Sequence, residues 1–267
     1  MGGIELIDVH RCLCPVDARA RPFTQFTPML RVSRPFSTRR AFAGALIVSC
    51  AVSCGPVAPQ EPGTLRIEAP EHFVHGYPAT LPDGRLQVVI EVPAGTLAKW
   101  EVDAEGGALE WEFVDGAPRV VRFLGYPGNY GMVPRTLHSL ESGGDGDPLD
   151  VIVLGASVER GSILAATPIG VLEMVDRGER DEKIVAVTEG SPFEAIRSME
   201  ELDAQMPGAS AILSTWFSSY KGPGLTEIGG ISGPGRAQEL IDEAIKDYAA
   251  TRAPGAETDP SRAPGGR

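Results

Sequence analysis

Apolar residues in the middle of the chain come in short runs separated by turn residues, not in long periodic stretches. Leu86–Val92 alternates enough to predict a strand, and residues 99–102 predict another. The turn Glu105–Gly106–Gly107 predicts a hairpin leading into a strand over 109–114. Residues 119–124, 150–154, 162–175 and 184–187 add further strands with short connections. Many short strands joined by Gly-rich turns predict a closed or nearly closed small barrel. The period changes in the C-terminal third. Ser191–Pro192–Phe193–Glu194 reads as a capping box with proline at the first helical position, predicting a helix to about Gln205. A second helix is expected after Pro207–Gly208, carrying Ile212, Leu213, Trp216 and Phe217. A last one follows Gly233–Pro234, with Ala237, Leu240, Ile241, Ala244, Ile245 and Tyr248 at helical spacing. Trp216 and these apolar stripes read as packing residues, and the chain has no internal repeat.

Within this pattern one polar stretch stands out: Gly143–Gly144–Asp145–Gly146–Asp147–Pro148–Leu149–Asp150, directly before Val151–Ile152–Val153–Leu154. Glycine permits a tight bend and Pro148 restricts it, so Asp145 and Asp147 can converge. Asp150 opens the strand, its side chain on one face with Ile152 and Leu154. A carboxylate at the mouth of a wholly apolar strand needs a cation, and crowded oxygen ligands suit Mg²⁺ or a similar divalent ion. An EF-hand is excluded, because its sixth and twelfth positions would be Asp150 and Ala156 instead of Gly and Glu.

The flanks extend the pattern. Upstream lies Gly125–Tyr126–Pro127–Gly128–Asn129–Tyr130–Gly131 and downstream Asp176–Arg177–Gly178–Glu179–Arg180–Asp181–Glu182–Lys183. Further segments are Val89–Ile90–Glu91–Val92–Pro93–Ala94, Ala98–Lys99–Trp100–Glu101–Val102–Asp103 and Ser219–Tyr220–Lys221. Together these resemble the family I soluble inorganic pyrophosphatases, from about residue 86 to about 248. The resemblance implies an α+β, mainly β fold: an OB-like five-stranded β-barrel with flanking C-terminal helices. It also implies Mg²⁺-dependent hydrolysis of pyrophosphate. Asp145, Asp150 and Asp181 would hold the metals that bind the attacking water. Asp176 would join Asp181 around a further ion, with Glu91 and Glu101 in the outer metal set. Asp147 would be the general base, its pKa raised by Asp145 and Asp150. Lys99, Arg119, Lys183 and Lys221 match phosphate-binding positions, and Tyr130 and Tyr220 offer hydroxyl donors. The spacing from Arg119 to Tyr126 is one residue short, which makes Arg122 a competitor for the arginine's role. His10, His72, His75 and His138 match no such role and read as ordinary polar residues. A metal- or phosphate-binding domain without activity and a hydrolase of another phosphoanhydride are the competing readings. Every key carboxylate is present, and no nucleotide fingerprint is.

Charge narrows the partners. A net charge of −12 over 267 residues argues against nucleic acid. Pyrophosphate is compatible only where metal ions and local Lys and Arg reverse the sign. The four cysteines, Cys12, Cys14, Cys50 and Cys54, all precede the globular part, and Cys12-x-Cys14 has no companion ligand at metal spacing. From Met29 to Cys54 there are four arginines, no acidic residue and the apolar run 41–48. That layout predicts an export signal, with translation starting at Met29. Arg39–Arg40 resembles a twin-arginine signal, and Cys50 or Cys54 a lipoprotein cleavage box giving a membrane tether. The expected organisation is an extension over 1–54, a Pro-rich tether over 55–64, a catalytic domain over 65–250 and a tail over 251–267. By resemblance the subunit is also expected to form a homo-oligomer.

Overall fold

The computed structural model describes residues 65–252. The expected export signal, lipidated cysteine, tether and tail after residue 252 lie outside those residues.

Twelve strands and three helices follow one another in the described chain. The strands are β1 (Arg66–Ile67), β2 (Leu86–Val92), β3 (Trp100–Val102), β4 (Leu109–Trp111), β5 (Phe113–Val114), β6 (Ala117–Pro118), β7 (Asn129–Met132), β8 (Asp150–Leu154), β9 (Ile163–Asp176), β10 (Glu179–Arg180), β11 (Lys183–Thr188) and β12 (Thr226–Ser232). The helices are α1 (Met199–Gln205), α2 (Ala209–Ser219) and α3 (Pro234–Thr251). The fold is mostly β with flanking helices. In the main sheet β2 pairs with β7, β7 with β8, β8 with β11 and β11 with β9, and β9 pairs again with β2. All of these pairings are antiparallel except β8 with β11. Strands β10 and β12 extend the far half of β9, while β1, β4 and β3 form a small separate sheet.

The helices sit where their stripes dictate. On α3 the residues Ala237, Leu240, Ile241 and Ala244 are buried against Val88, Ile90, Val151 and Ile184 of the strands. Each fully buried Leu or Ile there contributes ~1.5–3 kcal/mol. Leu213, Trp216 and Phe217 of α2 join Met199 and Leu202 of α1 over the other side of the sheet. Among the described residues no helix is long and apolar enough to cross a membrane.

Four local expectations need correction. Ser191–Glu194 closes only a turn, in which Ser191 Oγ accepts from Phe193 N at 3.2 Å and Glu194 accepts from Gly190 N at 2.7 Å. The helix starts at Met199 instead, capped by Ser198, whose Oγ accepts from Glu201 N at 3.2 Å. Ser191 and Ser198 both head an S-x-x-E pattern, and Ile196 after the first is as buried as Met199 and Leu202 after the second, so neither the pattern nor core burial separates the two. The predicted strand over 109–114 breaks at Glu112, and Phe113–Val114 turns back through Asp115–Gly116 to pair with β6. Residues 119–124 are no strand. Val120 bridges Ala98, and the rest is held by single contacts such as Val121 N to Leu97 O at 2.8 Å. Ile212 is 64% exposed, on the side of α2 facing away from the packed stripe.

Strand β2 is buried nearly throughout, because helix α3 contributes to the cover on one face and the small sheet covers the other. This is why Glu91, polar in an otherwise apolar strand, ends up out of water.

Candidate active site

Parallel pairing decides the centre of the site. Because β8 and β11 run in the same direction with Lys183 opposite Asp150, their first residues stand side by side at one end of the sheet. The Lys183 ammonium is fully buried and donates to both Asp150 and Asp181. Asp181 reaches this place because its backbone N donates to Met174 O at 2.9 Å, closing the turn between β9 and β11. Asp176, the last residue of β9, is buried and pairs with Lys221 at 2.5 Å. Tyr130 on β7 lies beneath Lys99, whose ammonium is 4.7 Å from the ring centroid. Lys99 also pairs with Glu101 at 3.0 Å. Glu91 Oε1 accepts from Val102 N at 2.9 Å, tying β2 to β3.

The acidic turn hangs over this floor. Asp145 Oδ1 accepts from Asp147 N at 3.1 Å, and Gly146 takes φ +87°, a conformation natural only to glycine. Thr136 Oγ1 accepts from Leu149 N at 2.9 Å and fixes the turn's exit into β8.

Electrostatics follow from this crowding. Asp150 is partly withdrawn from water, which opposes its charge, yet Lys183 and Lys99 outweigh that and hold its carboxyl below the usual range. Asp181 is pushed up to about 6 by burial, against the pull of Lys183. Burial takes Glu91 up to about 8, although Lys99 opposes it. Asp145 is raised by burial and by Asp150. Asp147 rises to about 7, first because the packed cleft withholds water and then because Asp145 and Asp150 repel its charge. Since Asp147 is an exposed residue, the neighbouring charges are the weightier of these two causes. Lys183 stays charged, held well above its ordinary value by Asp150 and Asp181 despite complete burial.

Beside the carboxylates lies a basic cleft of about 190 Å³, lined by Arg119, Arg122, Arg177, Tyr220 and Lys221 among others. Both competing arginines therefore reach one cleft, but differently. Arg119 is clamped by Glu112, at 2.8 and 2.6 Å, whereas Arg122 is exposed. The carboxylates and lysines around Lys183 thus gather at one end of the main sheet, and the arginines line the basic cleft with Tyr220 and Lys221.

The comparisons with known proteins bear on that arrangement. A sequence model described as Inorganic pyrophosphatase matches residues 88–249. The chain is 33% identical to the inorganic pyrophosphatase of Nostoc sp. over 175 residues, 64% of this chain and 96% of the relative. To the Caulobacter vibrioides inorganic pyrophosphatase it is 36% identical over 168 residues, 61% of this chain and 89% of the relative. The chain belongs to the family I soluble inorganic pyrophosphatases. Among solved structures it resembles the Helicobacter pylori inorganic pyrophosphatase, with a TM-score of 0.56 and 30% identity over 65% of this chain and 98% of that one. It also resembles a Trypanosoma brucei vacuolar soluble pyrophosphatase, with a TM-score of 0.64 and 25% identity over 68% of this chain. There it spans about half of the neighbour's length, 53%.

Members of this family are generally metal-dependent, so the fit of the donors matters. Among the described residues, no three His, Cys, Asp or Glu side chains stand together as a ready ligand set for one ion. Lys183 takes up the space between Asp150 and Asp181 instead. The donor chemistry nonetheless fits a cation. Asp176 Oδ1 is buried without a hydrogen-bond partner, and Glu91, Asp145, Asp147 and Asp181 are all raised, first by burial and then by neighbouring carboxylates whose charge a cation would offset.

The reading from sequence gave no role to two residues placed at this pyrophosphatase site. Tyr126 is buried near Lys99 and Arg119, its hydroxyl pushed up by burial, and Arg177 lines the basic cleft. Tyr126 lay inside a quoted motif and could have been found there. Arg177 lay inside a quoted motif too, but its place in the cleft depends on a left-handed backbone turn at φ 50° that the motif does not reveal. Of the histidines read as ordinary, His75 bonds Tyr248 Oη at 2.8 Å and His138 is buried against Glu182.

The raised carboxylates give a stability prediction. A group whose folded pKa exceeds its unfolded value binds extra protons in the fold, so stability drops as pH rises between the two values. Glu91 therefore destabilises the metal-free protein progressively from about pH 4.5 to about 8. His75, held down to about 4, has the opposite slope below about pH 6.5, so the clean window is about pH 7 to 8. The melting temperature of metal-free protein is expected to fall across that window, and the fall to be smaller in Glu91→Gln. Equal slopes in the two proteins would show that Glu91 is not the group responsible.

Proposed function

We propose that the chain hydrolyses inorganic pyrophosphate to two phosphates. The observation that carries this is the junction at Asp150, where the acidic turn and two buried lysines come together, with a basic cleft lined by Arg119, Arg122, Arg177 and Lys221 on the same molecule. A diphosphate is a compact, highly charged substrate with no base to recognise, and positioning with charge neutralisation is most of what its hydrolysis demands. Lys99, Lys183, Lys221 and an arginine from Arg119 and Arg122 bind the phosphoryl oxygens, with Tyr130 and Tyr220 donating hydroxyl hydrogen bonds. Asp147, close to neutrality in its pKa and exposed, accepts the proton of the attacking water. The oxygen of that water joins one phosphorus, the bridging oxygen leaves with the other, and the products are two phosphates. Glu91, Glu101, Asp145, Asp150, Asp176 and Asp181 would hold Mg²⁺, several ions per site, on their all-oxygen donor chemistry. When bound, these ions supply counter-charge to the diphosphate. We also read the ring of pairings through β2, β7, β8, β11 and β9 as an OB-like five-stranded barrel, its end carrying the site.

Phosphate release with Mg²⁺ is expected from pyrophosphate and not, at comparable rate, from a nucleoside triphosphate. Thorough chelation should abolish it and Mg²⁺ restore it. Activity that survives chelation would rule out the metal-dependent reading, and equal activity on the triphosphate would favour a general phosphoanhydride hydrolase.

A further inference from the structure

The acidic turn is bracketed from beneath by side chains that the proposed hydrolysis does not use. After His138 the chain makes one turn of 3₁₀ helix, Leu140–Ser142, before it reaches Asp145. Gly144 N donates to Ser139 O at 2.9 Å, Gly146 N to His138 O at 2.8 Å, and His138 N to Asp147 O at 2.8 Å. The backbone of His138 thus grips the turn immediately after Asp145 and at Asp147 itself. Gly144 fits against it so closely that a Cβ would lie 2.5 Å from His138 O and 2.7 Å from the ring's Cδ2.

The His138 ring is buried and faces a buried Glu182, Nε2 being 3.1 Å from Oε2. The angle is poor for a hydrogen bond, and neither atom has another partner, so the two depend on each other. The other oxygen of Glu182 accepts from Arg180 Nε at 2.8 Å and lies 2.8 Å from its Nη2, with Arg236 of α3 at 3.8 Å. Arg180 then returns to the turn's outer limb. Its backbone N donates to Gly143 O at 2.8 Å and its Nη1 to Ser142 O at 3.1 Å. One buried carboxylate therefore joins the inner limb of the turn, at His138, to the outer limb, at residues 142 and 143.

We infer that Glu182 is a positioning residue: through His138 and Arg180 it fixes the loop that presents Asp145 and Asp147 over the floor of the site. The inference rests on the reading of Asp147 as the base. Asp147 is exposed, so its place is set by this backbone and not by packing of its side chain. Displacement of a reacting group by about 1 Å is enough to cost up to 10²-fold in rate. Burial alone does not explain a carboxylate here, since a well-packed apolar residue would serve stability as well or better.

The test compares Glu182→Gln, Glu182→Met, His138→Ala and His138→Gln with the parent, and with Arg85→Ala, which removes only an exposed ion-pair cluster. For each, kcat and KM for pyrophosphate, the melting temperature and the exchange rates of the Gly144 and Gly146 amides are measured. Both Glu182 variants and His138→Ala are expected to lose about tenfold in kcat with KM within about twofold. The two glycine amides should exchange faster, and His138→Gln, which keeps a side-chain N–H toward Glu182, should recover most of the loss. Arg85→Ala should leave all readouts near the parent values. Unchanged kcat in Glu182→Met, or unchanged glycine exchange in both Glu182 variants, would overturn the inference. Should the parent fail to hydrolyse pyrophosphate, the proposed function falls, and amide exchange alone decides whether the bracket holds the loop.

Discussion

Replacing Asp147 with asparagine is expected to lower kcat about 10²-fold or more, the size typical of losing a general base. Asparagine is nearly isosteric, and the main chain that holds this position, with His138 donating to Asp147 O, is untouched by the change. Substrate binding and the Mg²⁺ requirement should therefore shift little. Asp150→Asn is the contrast. Asp150 pairs with Lys183 and is also held charged by Lys99, and its loss should raise the Mg²⁺ concentration needed for half-maximal activity. The pH profile checks the assignment separately. A base works deprotonated, so kcat/KM should rise with pH through its pKa, which starts at about 7 without a cation. A bound divalent ion stabilises the carboxylate, so that limb should move to lower pH as Mg²⁺ is raised. Two variants with the same metal titration, or a limb indifferent to Mg²⁺, would refute the division of labour between Asp147 and Asp150.

Lys183→Met should produce the largest loss of stability, ~3–5 kcal/mol in the metal-free protein, because it leaves the buried Asp181 and the partly buried Asp150 facing each other without the ammonium between them. Asp150 and Asp181 both depend on this one ammonium, and Asp181 already sits at about 6 with the lysine present. Without Lys183 both groups should take up protons in the fold, so the variant's deficit should grow from about pH 5 to about pH 8. On the proposed reading Mg²⁺ binds the folded site alone, so it should offset more of the deficit in the variant than in the parent. Calorimetry at the two pH values, with and without Mg²⁺, gives all four comparisons. A small, pH-independent loss would mean that the ion pair is peripheral to the fold.

Much of this protein was legible before folding was considered. The strands Leu86–Val92 and Asp150–Leu154 and the helices after Gly208 and Gly233 follow from local rules: apolar runs bounded by glycine and proline, and stripes at helical spacing. The carboxylates and lysines of the site were equally visible, since an Asp-x-Asp-x-x-Asp turn before a buried strand leaves few other uses for its charges. Where two local signals compete, sequence chose badly. Ser191 and Ser198 carry the same capping pattern, yet only Ser198 caps a helix, while Ser191 closes a turn. What the chain alone could not specify is which distant residues share a neighbourhood. The parallel pairing of β8 with β11 sets Lys183 beside Asp150 from 33 residues away, and so turns a metal-like acid cluster into a lysine-centred one in this state. The covering of both faces of β2 makes Glu91 a desolvated carboxylate and not a surface charge. The fold of the turn sets His138 against Glu182, two residues with no pattern in common. Residue types and local spacing determine which chemistry is available, because propensity and periodicity act over a few residues. Protonation, pairing and position are decided by burial and by contacts distant in sequence, which only the tertiary structure supplies.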